Sequence, residues 1–472
     1  MQEEKFDLIV IGSGSGLGVA HAAVTQNGLK VAIIEKDKMG GTCLNRGCIP
    51  SKLLIHSADI AEIIRHAGIF GINVQNFSVD FEKIVRRVNN ITDTYSESIR
   101  SSYQSSDNPK LFSNECKFIG DKKISLVDKE KTVILTANKI LIAAGTRPKV
   151  PEINGLKESG FITSDEALQL KQQPRVLTFI GGGYITCELA HFYGSLGTEI
   201  NIVQLGDKLL PREDEEISRK FTEVFSKKYN VYLDYNVESV IKKKTSSNKN
   251  SSSEIFHIRA RNDTCKKEIE LESDQLLVAV GRVPNTCSLD LGKTGVKLDE
   301  KGFIIVDEYL ETSVKGIFAL GDVLGRYQFK HSANHEARYA YHNILNSDAK
   351  IPVDYTAMPH AIFSSPQVAG VGVTEQRLKW QNKNNYLKSI YPYIQTGMGE
   401  ALEERDGFVK LLVNREDRKI LGCHILGTDA STLLHEVLVA MRAGDGTIDG
   451  ITKTIHIHPA LSEVVSKAAE TI

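Results

Sequence analysis

The chain lacks a surplus of either charge. Lys and Arg total 58, Asp and Glu total 59, and the formal net charge is -1. A general nucleic-acid binder carries a basic surplus, so that class is excluded. Cysteine is scarce and odd in number, seven in 472 residues, which argues against a secreted disulfide framework. No apolar run reaches the roughly 18 residues of a membrane span, and no membrane partner is expected. The opening MQEEKFDLIVIGSGSG enters a strand pattern within a few residues. It leaves no room for a signal or transit peptide, so the expected address is the cytoplasm. What remains is ordinary globular composition, 41% hydrophobic and 25% charged, neither disordered nor fibrous. At about 150 residues per domain the length suggests roughly three domains.

Phe6 to Ile11 is an apolar run with one acid, as a parallel strand buried on both faces requires. The turn Gly12-Ser13-Gly14-Ser15-Gly16 follows, then a helix-like stretch from Val19 to Thr25 and a strand from Lys30 to Ile34 ending in Glu35. The same grammar returns with Val176 to Ile180, Gly181-Gly182-Gly183, a helix over Cys187 to Ser195, and a strand over Glu199 to Val203. A glycine turn between strand and helix lets backbone N–H groups approach a pyrophosphate. Glu35 stands roughly 20 residues on, where an acid holds a ribose hydroxyl. Two copies predict two dinucleotide-binding domains. The first departs from G-x-G-x-x-G at Leu17, with Gly18 one place late, so its helix–strand packing is expected to differ. Further strands are predicted at Ile140 to Ala143, Leu276 to Val280, Ile317 to Leu320, Ala361 to Gly372 and Phe408 to Val413, with an apolar helix over Leu433 to Met441. Lys242 to Ser253 holds no apolar residue and reads as a solvated hairpin loop.

The segment Gly40 to Lys52, GGTCLNRGCIPSK, carries two cysteines five apart. Structural thiols, metal ligands and a redox pair are the alternatives. Metal sites usually add a second ligand pair, and none is evident. In a regular helix such residues lie about 8.6 Å apart at Cα, beyond the roughly 7 Å that a disulfide spans. A bridge needs a distorted turn, which Gly47 and Pro50 supply. In a reducing compartment such a disulfide is usually catalytic. Cys116, Cys187, Cys265, Cys287 and Cys423 match no redox spacing, and Trp380 carries no visible role.

This segment resembles the active-site stretch of the flavin-dependent pyridine nucleotide–disulfide oxidoreductases, and the resemblance covers essentially the whole chain. IAAGTRP over 142–148 resembles the family's ATG-x-x-P strand, and GRVPN over 281–285 its GR-x-PN turn. Thr312-Ser313 with Ile317 to Asp322 resembles its second FAD motif, and His458-Pro459-Ala460-Leu461-Ser462-Glu463 its H-P-x-x-S-E element. The resemblance implies an α/β chain with FAD-binding (1–147), NAD(P)-binding (148–274), central (275–346) and interface (347–472) domains, the last α+β. Cys48 would face the flavin as a charge-transfer thiolate, and Cys43 would exchange with substrate sulfur. His458 would shuttle protons, oriented by Glu463; His456 reads as structural. Cofactor contacts are expected from Gly12, Gly14, Gly16, Glu35, Lys36, Gly41, Thr42, Lys52, Ala144, Gly145, Gly321 and Asp322. Further contacts are expected from Gly181, Gly183, Tyr184, Ile185, Glu188, Gln204, Gly281 and Arg282. In the family Lys52 lies near the flavin N5 and Glu188 meets it, while Tyr184 resembles the aromatic gate. Thr186 departs from the usual small third residue of the second turn. A homodimer with shared active sites is implied, and no metal.

Within the family, CIPSK over 48–52 is similar to lipoamide dehydrogenases, whereas residues 330–338 and 456–461 look more like mycothione reductase, and Arg46 departs from the former. The ending SKAAETI lacks the extra cysteine pair of mercuric reductase and the large thioredoxin reductases. The expected reaction is dihydrolipoamide oxidation by NAD+, on a small dithiol or a lipoyl-carrying protein. Reduction of a low-molecular-weight thiol disulfide is the alternative, and a non-catalytic flavoprotein subunit the third reading. Gln204 replaces the ribose-binding Glu of NAD enzymes, and Leu205 offers no cation for a 2′-phosphate, although Lys208 and Arg212 lie close in sequence. NAD(H) is expected, with modest discrimination against NADP(H).

Overall fold

The computed structural model describes residues 2–128, 131–246 and 252–472. It divides into two compact units. One comprises Met1–Leu53, Lys83–Lys149 and Gly281–Asp354, the other Leu54–Glu82, Val150–Val280 and Tyr355–Ile472.

The first unit is built on β1 (Gln2–Ile11), β2 (Val31–Ile34), β3 (Lys110–Phe112), β4 (Cys116–Gly120), β5 (Lys123–Asp128) and β6 (Lys131–Ile142), in the order β3-β2-β1-β6-β5-β4. Ile317–Ala319 adds to β6 in parallel. Val10 of β1 lies opposite Ile33 and Leu141, and both pairings are parallel. Such a strand is covered on both faces, so its apolar residues run on without alternation; Leu8, Ile9 and Val10 are wholly buried. The strand starts earlier than its apolar run, because Gln2 to Lys5 pair with Val133 to Thr136 of β6. Helix α1 (Gly16–Asn27) stops at Gly28, which takes a left-handed φ of 64°.

The second unit holds three sheets. Asn230–Leu233, Glu199–Gln204, Val176–Ile180 and Gln275–Val278 form a parallel sheet in that order. Tyr235–Ser246, Ser252–Asn262 and Glu268–Ser273 form an antiparallel one. The expected loop over 242–253 is therefore shorter. Lys242 to Ser246 continue the strand, with Lys242 opposite Phe256, and the expected tip lies outside the described residues. The third sheet runs Pro359–Ile362, Val368–Gly372, Ile420–Leu426, Phe408–Asn414, Tyr386–Pro392, all antiparallel. The single strand expected over Ala361 to Gly372 is a hairpin instead. Pro366 cannot donate to a ladder, and the chain reverses so that His360 faces Gly370. Helices Ala430–Arg442 and Glu463–Glu470 share this sheet's apolar core, which buries Leu434, Val437, Val464 and Ala468. Among the described residues no helix is long and apolar enough to cross a membrane.

Candidate functional site

Gly12 ends β1 at φ 103°, and a Cβ there would lie 2.3 Å from the Ala143 carbonyl oxygen, so only glycine fits. A Cβ on Gly14 would meet nothing within 4 Å; the backbone faces open space ahead of α1. Gly16 makes the close helix–strand approach, with its Cβ position 2.9 Å from Val10 Cγ1. Packing therefore rests on Gly16, and neither Leu17 nor Gly18 has to be the tight position. Glu35 accepts from the Ser13 N–H at 2.8 Å and the Ser13 hydroxyl at 2.7 Å, and from the Asp37 N–H at 2.9 Å. The acid thus braces the turn and keeps acceptor capacity for a hydroxyl. Lys36 is exposed and pairs with Glu115 at 2.9 Å.

The cysteine segment sits on this turn. A Cβ on Gly41 would lie 2.7 Å from the Gly14 Cα. Gly41 opens helix α2 (Gly41–Arg46), which carries Thr42 and Cys43, and Cys48 opens helix α3 (Cys48–His66). Gly47 lies between them at φ -149° and ψ -118°, and a Cβ on it would stand 3.4 Å from the Cys43 Cα. This break brings the two sulfurs into hydrogen-bond contact as free thiols, where a continuous helix would hold them apart. The hydrogen bond to Cys48 and burial push the Cys43 thiol well up, while Lys330 and Lys52 pull it the other way. Buried Asn45, missed in the sequence, pins α2 by donating to the Met39 and Gly41 carbonyls at 2.9 and 3.0 Å.

Three separate sequence motifs meet in the same unit. Asp322 accepts from the Thr146 hydroxyl at 3.1 Å. Arg282 donates to that hydroxyl at 2.7 Å and to the Thr146 carbonyl at 2.9 Å. Asn285 donates to the Ala144 carbonyl at 2.9 Å, and the Gly321 N–H to Glu336 at 2.6 Å. Burial raises the Asp322 carboxyl, against Arg282, Thr146 and Lys330. Gly145, at φ 65°, has open space where a Cβ would stand. Thr146, Glu336, and Lys330 bonded to Ser15 at 3.0 Å, lie in the stretches 142–148 and 330–338 but outside the expected cofactor contacts.

In the second unit Gly181 repeats Gly12. Its φ is 106°, and a Cβ would lie 2.5 Å from the Ala279 carbonyl oxygen. The Gly182 N–H donates to Gln204 Oε1 at 2.8 Å, and Gly183 faces open space. The helix starts earlier than expected, spanning Tyr184–Ser195, so Tyr184 and Ile185 occupy its first turn, half-buried. Thr186 is tolerated because its hydroxyl donates to the Gly181 carbonyl at 2.8 Å. Glu188 accepts from the Phe363 N–H at 3.0 Å. Leu205 is 70% exposed. At the far end of the chain His458 Nδ1 meets Glu463 Oε1 at 2.8 Å, and the His458 side chain is 78% exposed. This contact holds the Glu463 carboxyl below its usual range. His456 is instead tucked against Glu436 and the Thr454 carbonyl. The cysteines thus fall in the first unit and His458 and Glu463 in the second. Among the described residues no group of three or more His, Cys, Asp or Glu could hold a metal ion.

The pyridine nucleotide-disulphide oxidoreductase family matches residues 6–337 and its dimerisation domain residues 358–469. The chain belongs to this family. It is 34% identical over 468 residues to a dihydrolipoyl dehydrogenase of Chlamydia trachomatis, covering 99% of this chain and 96% of that one. It is 33% identical over 471 residues to a mycothione reductase of Mycobacterium tuberculosis, covering 98% and 99%. A solved Cu(II) complex of the HOCl-induced flavoprotein disulfide reductase RclA from Escherichia coli superposes with a TM-score of 0.85 at 25% identity, over 99% of this chain and 100% of that one. The protein is accordingly an FAD-dependent NAD(P)H disulfide oxidoreductase with a dimerisation domain that makes it a homodimer. The open, glycine-lined space ahead of α1 and the buried Asp322 carboxyl fit FAD's pyrophosphate and ribityl hydroxyls.

Proposed function

We propose that the protein is a dihydrolipoyl dehydrogenase, converting dihydrolipoamide and NAD+ to lipoamide, NADH and a proton. The Gly47 break that lets Cys43 meet Cys48 carries this reading. One substrate thiolate attacks Cys43 Sγ of the Cys43–Cys48 disulfide, and the Cys48 thiolate leaves. His458 takes the substrate's thiol proton at Nε2, with its Nδ1 held by Glu463. The second substrate sulfur then closes on the first, its own proton passing to solvent, and Cys43 departs as a thiol with the proton that His458 took. Two electrons now rest on the cysteine pair. FAD, held by Gly12, Gly14, Gly16, Glu35, Gly41, Thr42, Lys52, Gly145 and Asp322, supplies the two-electron exchange with the nicotinamide. Gly181, Gly183, Tyr184, Glu188 and Gln204 hold the nicotinamide cofactor. Gln204 offers a neutral acceptor to a ribose hydroxyl, so NAD(H) is preferred modestly.

His458 is exposed directly after Ile457, and Ile455 and Ile457 are themselves 97% and 77% exposed. Covering by the second subunit of the homodimer accounts for this, and we assign His458 to the partner's cysteine pair. The presence of both cysteines and the His458–Glu463 pair opposes a non-catalytic subunit. A location in the reducing cytoplasm suits a chain whose proposed disulfide is catalytic rather than structural. The mycothione reductase relative supports a second reading, reduction of a small thiol disulfide by NAD(P)H. A steady-state panel separates the two. Dihydrolipoamide with NAD+ should give the highest kcat/KM, and faster turnover of NAD(P)H with glutathione or mycothiol disulfide would overturn the proposal.

A further inference from the structure

Beyond the cysteines, α3 carries a second polar contact that the reaction does not use. Within the second unit, His191 Nε2 meets Asp59 Oδ1 at 2.7 Å, and Ser195 Oγ meets His191 Nδ1 at 3.1 Å. Asp59 is on α3, about two turns beyond Lys52 and three beyond Cys48; His191 and Ser195 are on helix Tyr184–Ser195. The residue types match a hydrolytic Ser-His-Asp set, but Ser195 is 1% exposed and no substrate could reach it. Nor is the imidazole a surface accident: its side chain is 1% exposed, and both ring nitrogens are engaged. One turn further on, Glu62 receives Lys228 at 2.8 Å. Burial pushes the Glu62 carboxyl up, and Lys228 and Ser195 hold it below its ordinary range. Leu54, Ala58 and Ala61 of α3 are small or apolar and buried, and their packing does not by itself fix the helix's roll by direction. A charged hydrogen bond does, because it is directional where apolar packing is not.

We propose that His191 is a positioning residue which, through Asp59, sets the roll of α3 and so the angle at which its first residue, Cys48, and Lys52 are presented. This rests on the reading of Cys48 as the flavin-facing thiol. The test uses flavin-loaded holoenzyme carrying His191→Leu, His191→Gln, Asp59→Ala and the double variant Asp59→Ala/His191→Leu. Each is read by Tm, by the long-wavelength absorbance after two-electron reduction, and by kcat and KM. A displacement near 1 Å costs on the order of 100-fold in rate. His191→Leu should therefore lose about 10- to 100-fold in kcat, lose most of the long-wavelength band, and keep its KM for the nicotinamide. Glutamine retains a donor for Asp59 and should restore band and rate. Asp59→Ala should reproduce the loss, and the double variant should be no worse than the worse single. Ile258→Val, a core change in the antiparallel sheet of the second unit, should keep the band at a matched fall in Tm. Asp59 is 42% exposed, so its variant tests the idea even if His191→Leu does not fold. Wild-type band and kcat in both single variants, or an equal loss in Ile258→Val, would overturn this inference alone. A wild-type enzyme with no band would overturn the assignment of Cys48 and this inference with it.

Discussion

The two glycine turns are the same backbone device with different partners. Gly12 and Gly181 take φ of 103° and 106°, and each abuts a carbonyl of a neighbouring strand, Ala143 or Ala279. In each, the residue after the first glycine donates its N–H to a side chain at the end of the next strand. In the first turn that side chain is the carboxylate of Glu35, in the second the neutral amide of Gln204. Only the first turn is also roofed by another glycine, Gly41, which brings the redox cysteines onto it. The steric demand of the turn is therefore common to both units, while electrical and catalytic character is added locally. The cores differ in the same sense. The first unit buries the Glu336 carboxylate completely on a backbone donor, the Gly321 N–H at 2.6 Å. The second unit buries Lys410 completely between Asp214 and Glu375, both at 2.7 Å.

The sharpest test of that division uses mixed dimers. Cys43→Ser and His458→Ala homodimers should each lose on the order of 1000-fold in turnover. A purified heterodimer of the two should recover about half of wild-type activity, because one of its sites joins an intact Cys43 to an intact His458. No recovery in tag-separated heterodimers would mean that each chain serves its own cysteines.

Next in size is the buried lysine. Lys410→Met takes the buried cation from Asp214 and Glu375, leaving Glu375 only its more exposed partners Lys379 and Lys388, and should cost about 3–5 kcal/mol at neutral pH. The sign follows from the directions of shift. Burial raises both carboxyls, but Lys410 holds them below the ordinary range, so their stabilisation is present above the unfolded value near 4 and lost as acid protonates the folded groups. The Tm gap between wild type and variant should narrow as pH falls below about 4. A gap that widens in acid would contradict the role given to the pair.

Smaller again, Gly12→Ala and Gly181→Ala should each cost about 1–3 kcal/mol from strain at positive φ. Their ligand effects should part: the first variant should purify with little flavin, the second should keep flavin and lose nicotinamide affinity. Equal flavin loss in both would erase the distinction between the turns. Smallest is Gln204→Glu, which makes the second turn resemble the first. It should raise the NAD over NADP preference in kcat/KM by about tenfold, roughly 1.4 kcal/mol, and Leu205→Arg should move the ratio the other way.

The turns, the Cys43–Cys48 break and the His458–Glu463 pair were legible because each is made by residues close in the chain. Glycine is the residue that tolerates φ near 100° without strain, so the letters announce the geometry. The hairpin over Pro359–Ile362 and Val368–Gly372 was misread as one strand because apolar residues run through it, although Pro366 marked the reversal. The departure at Leu17 and Gly18 predicts altered helix–strand packing without naming the close residue, and that residue is Gly16, which meets Val10.

By itself the sequence determined where the chain turns, which segments are buried strands, and which two cysteines can approach each other, since these follow from steric limits within a few residues. The tertiary structure alone decided which distant groups meet. Thr146 and Asp322 are 176 positions apart, His191 and Asp59 132, and Lys410 and Asp214 196. Such pairings depend on how helices and strands stack, and a hydrogen bond depends on distances of tenths of an ångström that no local pattern encodes.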